Sequence, residues 1–439
     1  MKESAEYPRY RWFVLATLFV LTVAHAIIMI SPAPLIGVIS KSMKLGLGPS
    51  TGMFMGIFNL ALALSCIGGG FLCDRFGLVK TYFWSCLLLI VPTLALPYCG
   101  ESLTGAITVR ILQALGSGPI NASVSAVAAL WFPPSQRGIV TGLQGTGVTM
   151  GIAVGFVASP AALAASGNWQ TAMAWQAASA FLALAMIIIF AFGPKPPRQQ
   201  HTVVCAARGS ENGDFKLAMR QPASWFGVFV IFVVCWVLSA FNDLTPAYFA
   251  IEPPVGIGYG AMTAGKLMMA VQIAFMVGSA VVGLAFEKIF REKAPPVIMI
   301  GLFFFALFAV SIMLPAVYGS MPVLIACLVI AGFFESWVVP TVFAFIALSY
   351  PAHIVGKLTG MWFGIGLFGG TIGVIVGATA LHHTGNYHTS IIIVGAVALI
   401  GVVLGVFLKP PPVFCETDAP GADYPVTVRR SEAGGKDLP

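Results

Sequence analysis

Charged residues are scarce in this sequence: 9% of its 439 residues are Asp, Glu, Lys or Arg, against about 25% in an average soluble domain. A water-soluble fold of this length could not cover its surface with so few charges. The scarcity excludes a cytosolic enzyme, a secreted disulfide scaffold and a disordered chain. The eight cysteines form no C-x-x-C pair, so we predict no structural disulfide and no metal site.

Apolar residues dominate instead, at 58% of the chain and a mean hydropathy of +0.92. Continuous apolar runs of about 20 residues indicate membrane helices, whereas a membrane barrel would need short alternating strands. The sequence therefore predicts an all-α membrane protein with twelve transmembrane helices. The predicted spans are 12–37, 51–72, 81–98, 103–130, 138–165, 172–193, 223–247, 260–286, 295–316, 321–348, 357–381 and 388–408.

Lysine and arginine are distributed unevenly over the gaps between these spans. With the spans as drawn, 19 of the 23 lie on one side and only Lys41 and Lys44 on the other. Because positive charge stays in the cytoplasm, we predict a multi-pass cell-membrane protein, in the inner membrane of a bacterium, with both termini cytoplasmic. Residues 24–26 (AHA) look like a signal-peptidase site, but the apolar run continues through Ile30, so we expect span 1 to be retained.

The polar, proline-bounded segment 194–222 divides the chain into two comparable parts. We predict an N-terminal six-helix bundle over 1–193, a cytoplasmic linker over 194–222 and a C-terminal six-helix bundle over 223–408. Residues 409–439 are expected to form a disordered cytoplasmic tail.

An offset of 218 residues relates the two parts and predicts two pseudo-symmetric bundles, the architecture of a rocking transporter. The matches at this offset are Pro133 with Pro351, Gly138 with Gly356, Gly142 with Gly360, Gly151 with Gly369 and Gly155 with Gly373.

Three motifs make the sequence resemble the major facilitator superfamily (MFS). Residues 70–77 (GFLCDRFG) resemble its signature loop between helices 2 and 3, and 110–118 (RILQALGSG) its helix 4 motif. The glycines of 147–155 with Pro160 resemble its helix 5 motif. The loop 131–138 (WFPPSQRG) also resembles the organic-anion and monocarboxylate branches. The resemblance implies the MFS fold and transport by alternating access.

The resemblance also implies a conformational latch at the cytoplasmic ends of spans 2 and 8. Asp74 and Arg75 occupy the position of the superfamily's charged pair, and Glu287 and Lys288 repeat it in the second half. Such a latch would hold the outward-open state and needs only a few kcal/mol of differential contact. The alternative is a solvated helix end that follows the positive-inside rule.

Ionisable residues inside spans are costly and are therefore candidates for function. His25, Arg110, Asp243 and Glu335 lie one each on spans 1, 4, 7 and 10, which line the central cavity in the superfamily. We predict proton coupling by Asp243 and Glu335. The predicted substrate-binding residues are Arg110, Lys266, His25, Gln113, Asn121, Asn242 and Trp337.

Four of these residues have a structural alternative. His25 is then a neutral imidazole bonded to a backbone carbonyl, and Arg110 a structural cation neutralised by Glu335 or Asp243. Asp243 then lies in water at the membrane interface. Lys266 then extends to the outer surface.

Two cations and two acids within the spans favour proton-coupled symport of a small, carboxylate-type organic anion. The alternative is a proton-driven exporter of hydrophobic compounds, which the 33 phenylalanines and 17 methionines would suit. We expect no cofactor, no nucleic-acid partner and a monomer in the bilayer. An enzyme is not expected, because no H-E-x-x-H or paired-carboxylate constellation is present.

Overall fold

The structure is a computed structural model that describes residues 8–133, 136–194 and 208–411. Within these ranges it contains helices and turns but no strand. The expected tail, apart from 409–411, lies outside the described residues, as do 195–207 of the expected linker.

Twelve long helices, numbered α1 to α12, account for most of the described chain. They are α1 Arg11–Ile30, α2 Ile57–Phe76, α3 Leu78–Cys99, α4 Leu103–Ala122 continued by Val124–Trp131, α5 Arg137–Ser166, α6 Trp169–Trp175 continued by Ala177–Ala191, α7 Pro222–Ala250, α8 Gly260–Lys288, α9 Ala294–Ser311, α10 Met321–Glu335 continued by Val338–Ser349, α11 Ala352–Thr384 and α12 His388–Val406.

The helices end where the sequence supplies breakers and caps. Pro32 and Pro34 follow α1 in a short 3₁₀ turn, Ala33–Leu35. Gly77, at φ 78°, separates α2 from α3, and a side chain is disfavoured there because of this left-handed backbone. Ser102 caps α4, since its Oγ accepts a hydrogen bond from the Gly105 amide at 2.9 Å.

Eleven helices of the described chain are long and apolar enough to cross a membrane, and they bear out an all-α membrane fold. The predicted fourth span, 103–130, is not among them. It forms α4 all the same, but Arg110, Gln113 and Asn121 lower its hydropathy. The other helices shield it, because α4 packs against α1, α2 and α3.

The helices α5 and α11 end in the same way, 218 residues apart. Gly167 follows α5 at φ 69° and Gly385 follows α11 at φ 73°, both in the left-handed conformation that closes a helix. Neither glycine was part of the predicted repeat.

The turns that follow repeat side-chain hydrogen bonds as well. Ser166 Oγ donates to the Asn168 carbonyl at 3.0 Å, and Thr384 Oγ1 donates to the Asn386 carbonyl at 3.1 Å. The amide oxygens of Asn168 and Asn386 each accept from the backbone two residues on, at 2.8 and 3.2 Å. The same local chemistry therefore builds both turns.

Glycines bring α5 onto α1 and α11 onto α7. A Cβ at Gly151 would overlap the Val23 carbonyl of α1, and one at Gly369 would overlap the Phe232 carbonyl of α7. Small residues permit such close approach in membranes, where packing and not the hydrophobic effect drives helix association.

Part of the expected linker is a helix, Arg208–Arg220, which packs on α7 and α11. Phe215 and Met219 contact the hydrophobic core, and the Trp225 indole donates to the Met219 carbonyl at 2.9 Å. This helix marks one end of the bundle, here called the linker face. Tyr10, near the start of α1, reaches the end of α6 at this face through a bond to the Ile189 carbonyl. The opposite end is called the far face.

The first six and the last six helices meet near the far face. An ideal Cβ built at Gly56 would lie 3.1 Å from the Ile375 side chain of α11. One built at Gly37 would lie 3.0 Å from the Ile251 side chain. Gly265 of α8 lies against the Phe156 carbonyl of α5.

Toward the linker face the same helices separate. An ideal Cβ at Gly142 or Gly145 of α5, or at Gly360 or Gly364 of α11, meets no heavy atom within 4 Å. The continuations of α4 and α10 at this end pack against helices of their own half. The structure is therefore closed at the far face and open at the linker face.

Candidate functional site

Arg110 lies fully buried on α4, where its guanidinium binds backbone carbonyls of two other helical segments. Nη1 donates to the Ile28 carbonyl at 3.0 Å and Nη2 to the Met29 carbonyl at 2.8 Å, both in the last turn of α1. Nε donates to the Phe54 carbonyl at 2.9 Å, in the π-helical turn Gly52–Gly56 that precedes α2. Carbonyls at a helix C-terminus lack intrahelical donors, so the arginine satisfies groups that lipid could not.

Two side chains complete the surroundings of Arg110. Nη1 also donates to Gln113 Oε1 at 3.0 Å, and the guanidinium lies 4.1 Å from the centre of the Phe58 ring. Gln113 in turn donates to Thr93 Oγ1 of α3 at 2.8 Å. Four of the five N–H groups of Arg110 are therefore engaged with the protein, all by backbone carbonyl or amide oxygens.

Asp243 of α7 is 5% exposed and connects the two halves of the chain. Its Oδ2 accepts a hydrogen bond from Asn59 Nδ2 of α2 at 3.1 Å. Arg110 lies close enough to Asp243 for the two opposite charges to attract each other. The structure thus brings two of the predicted residues, Arg110 and Asp243, together near the far face.

Asn242, next to Asp243, takes part in a separate contact within the second half. Its Oδ1 accepts from Gln272 Nε2 of α8 at 2.7 Å, and both side chains are buried. A buried amide pair of this kind fixes α7 against α8.

His25 and Glu335 are buried without hydrogen-bond partners. Both imidazole nitrogens of His25 and both carboxylate oxygens of Glu335 are unsatisfied in the described structure. The two side chains are 1% and 2% exposed. Glu335 is the last residue before the turn that interrupts α10. A buried polar group without a partner is uncommon, and each case calls for a functional explanation.

Asn121 is half-buried nearer the linker face, below Arg110 on α4. Its Nδ2 donates to the Ser117 carbonyl at 3.2 Å, and its Oδ1 accepts from Gln144 Nε2 of α5 at 3.0 Å. The pair lies near Gly145, where the space beside α5 is open.

Lys266 and Trp337 take no part in the side-chain hydrogen bonds described above. Lys266 is exposed on α8, which fits the alternative of a side chain that extends to the surface. Trp337 belongs to an aromatic cluster, with ring centroids 5.0 Å from Phe334 and 6.1 Å from Phe290, and its indole nitrogen has no partner.

The predicted latch residues lie at the linker-face ends of α2 and α8. Arg75, Glu287 and Lys288 are exposed there, and the Arg75 guanidinium lies 5.6 Å from the Phe76 ring. The side chain of Asp74 lies outside the described residues. Exposure of these groups accords with the separation of the halves at this face.

Three amide residues whose side chains bond the predicted set were missed by the sequence reasoning: Asn59, Gln144 and Gln272. Each is an uncharged amide inside an apolar helix, and that pattern was the available signal. No three His, Cys, Asp or Glu side chains among residues 8–133, 136–194 and 208–411 are grouped so that they could hold a metal ion.

Comparison with solved structures gives the fold. The chain superposes on a D-xylose-proton symporter with a TM-score of 0.73 at 16% identity, over 92% of this chain and 99% of the symporter.

Sequence comparison finds transporters of small anions. The chain is 25% identical over 376 residues to the cis,cis-muconate transport protein of Acinetobacter baylyi, covering 81% of this chain and 84% of that protein. It is 24% identical over 381 residues to a probable sulfoacetate transporter of Cupriavidus necator, covering 82% and 85%. The family model of the Major Facilitator Superfamily matches residues 13–310 and 293–423. The chain is therefore a transporter of the Major Facilitator Superfamily and not an enzyme.

Proposed function

We propose that this transporter carries a small organic anion of the carboxylate type into the cell together with a proton. The observation that carries the substrate class is the similarity, over four fifths of the chain, to a muconate and a probable sulfoacetate transporter. Muconate bears two carboxylates, and sulfoacetate a carboxylate and a sulfonate, so both are compact anions.

Hydrogen-bond donors in the membrane interior support this assignment. Both nitrogens of His25 and the indole nitrogen of Trp236 are buried without partners, and one N–H of Arg110 is not engaged. The half-buried Asn121 and Gln144 add amide groups toward the open face. We assign these groups to substrate binding, with the Arg110 charge supplying a favourable field for an anion.

The proposal assigns proton coupling to Glu335 and Asp243. A carboxyl group that has no fixed partner in apolar surroundings takes up and releases a proton as its surroundings change. Glu335 has no partner in the described structure, and Asp243 is bonded across the interface between the halves.

Alternating access follows if the halves rock about the bound substrate. The described state, closed at the far face and open at the linker face, is then the inward-open state. The excess of Lys and Arg supports a cytoplasmic linker face. The proposal sets the protein in a cell membrane such as a bacterial inner membrane, as a monomer.

Uptake into liposomes tests the proposal. Purified protein is reconstituted and given labelled cis,cis-muconate, sulfoacetate or xylose with the outside acidic. We expect accumulation of an anion above the outside concentration, and its loss when a protonophore collapses the gradient. The controls are empty liposomes and proteoliposomes with the same neutral pH inside and outside.

A hydrophobic-compound exporter would behave differently in the same liposomes. It would move a lipophilic dye and leave the anions at equilibrium, and that result would replace the proposal. A thermal-shift screen gives independent support, because a ligand that binds the folded state raises its melting temperature.

A further inference from the structure

The hydrogen bond between Asn59 and Asp243 lies at a contact that must break whenever the far face opens. It joins α2 of the first half to α7 of the second at 3.1 Å. The bonds of Gln113, Asn121 and Gln272, by contrast, remain within one half. We propose that Asn59 and Asp243 form the far gate of the transporter, and that Arg110 is the residue that positions Asn59 in it.

The other contacts between the halves at this end are uncharged, and they include apolar contacts, backbone contacts and one between the hydroxyl groups of Thr51 and Tyr387. Gly56 meets Ile375, Gly37 meets Ile251, and Gly265 meets the Phe156 carbonyl. Such contacts favour closure by packing but carry no charge. A charge-assisted bond adds strength and direction to the closed state, so Asn59 and Asp243 set how firmly the gate holds.

Arg110 determines where Asn59 points. It binds the Phe54 carbonyl at 2.9 Å and lies 4.1 Å from the Phe58 ring. These two residues lie five positions and one position before Asn59 in the chain, so the arginine fixes the start of α2. Its charge also attracts Asp243 from the other half.

The gate can open again because the free energy gained from the contacts of Asp243 is similar in size to the cost of removing its carboxylate from water. A buried carboxylate loses hydration, and in the closed state one amide and one cation compensate it. When the halves part, water replaces both. A balance of this kind allows substrate or a proton to shift the equilibrium with only a few kcal/mol of differential binding.

The inference rests on the proposed function only in requiring that the halves rock. It is tested by cross-linking in membrane vesicles without substrate. An ideal Cβ at Gly52 lies 3.7 Å from the Ala378 Cβ of α11, close to the separation of about 3.8 Å in disulfides. A protein that carries both Gly52→Cys and Ala378→Cys, here called the parent, should therefore form a 52–378 disulfide when the far face is closed. The 52–378 linked peptide is quantified by mass spectrometry during mild oxidation.

In this parent, Asn59→Asp places two acids face to face. We expect linking to slow by about tenfold, the effect of losing one charge-assisted bond, and Asn59→Ala to fall between it and the parent. The exchange Asn59→Asp with Asp243→Asn returns one acid and one amide to the pair, and we expect the parent rate within about twofold. Gln176→Ala, which removes an amide bonded within α6, serves as the control and should link at the parent rate.

Equal linking in the parent, Asn59→Asp and Asn59→Ala would overturn the gate. So would an exchange variant that elutes as a folded protein but links as slowly as Asn59→Asp. If Asn59→Asp does not fold, the test rests on Asn59→Ala and Asp243→Asn. The gate requires both to slow linking, because each removes the charge-assisted bond. The positioning role of Arg110 requires that Arg110→Lys also slow linking, and parent-like linking would overturn it. A failure of anion uptake with these linking rates intact would refute the substrate assignment and not the gate.

Discussion

The first half of the chain surrounds the buried cation Arg110 with acceptors, whereas the second half leaves one of its two buried carboxyl groups, Glu335, without a partner in the described structure. Arg110 donates to three backbone carbonyls and to Gln113, while Glu335 has no hydrogen-bond partner in the described structure. Both side chains lie deep inside helices that occupy equivalent places in the two halves. The difference teaches that burial alone does not assign a role. A satisfied group holds the structure together, and an unsatisfied group is available for change.

Removing the cation should have the largest effect on stability. Arg110→Leu removes a donor from the carbonyls of Met29 and Phe54. The Ile28 carbonyl loses one of its two donors and keeps the Ser31 hydroxyl. Each buried group left without a donor costs about 1–3 kcal/mol. We expect a clear fall in the melting temperature and in the yield of folded protein. Arg110→Lys keeps the charge but not the planar fork, and should lie between Arg110→Leu and the native protein. A native melting temperature for Arg110→Leu would contradict the structural half of the comparison.

Removing the lone carboxyl group should affect transport and not stability. Glu335→Gln keeps the shape of the side chain and breaks no hydrogen bond of the described structure, so we expect the melting temperature to stay close to that of the native protein. Proton-driven accumulation should be lost, whereas exchange of labelled for unlabelled anion without a gradient should continue. Glu252→Gln, at an exposed position, is the matched control and should transport normally. Accumulation by Glu335→Gln at the native rate would refute the coupling role.

The amides beside these groups give a smaller contrast. Gln113→Leu removes a partner from both Arg110 and Thr93, and we expect a loss of about 1–3 kcal/mol. Gln272→Leu removes one bond, to Asn242, and bonds between membrane helices average about 0.6 kcal/mol. Chemical unfolding of both variants in the same detergent gives the two values. An equal loss would mean that the network around Arg110 adds nothing beyond single bonds.

The repeated turns should show no contrast at all. Asn168→Ala and Asn386→Ala each remove one side-chain bond to the backbone, and we expect about 1 kcal/mol in each case. The two losses should agree within about 0.5 kcal/mol, as measured by thermal unfolding. A large difference would show that the halves share geometry but not energetics.

The membrane helices and the glycine rows could be predicted from the sequence because they follow from composition and spacing. Gly151 and Gly369, which the predicted repeat pairs, both lie against backbone, and the fold class was confirmed. Arg110 was recognised as an anomaly inside an apolar run. The identity of its partners could not be predicted, because three of them are backbone carbonyls, which every residue carries.

The partners of Asp243 and of its neighbour Asn242 were equally inaccessible. Asn59 and Gln272 lie on α2 and α8, outside the cavity helices on which the sequence reasoning concentrated. Lys266 illustrates a different limit, because depth along a span does not say which way a side chain faces, and this one is exposed. The fourth span illustrates a third limit, because its polar residues lower its mean hydropathy below that of the other membrane helices.

The π-helical turn Gly52–Gly56 has a consequence for relatives of this protein. Each hydrogen-bonded ring of a π-helix holds one residue more than that of an α-helix, and one residue turns a helix by about 100°. The extra residue therefore sets the azimuth of all of α2, including the direction of Asn59. The Phe54 carbonyl within this turn binds Arg110. We therefore expect the π-helical turn and the arginine to occur together in relatives of this protein. Relatives that lack the arginine are expected to begin this helix with a regular α-turn and to present a different edge of it to the opposite bundle.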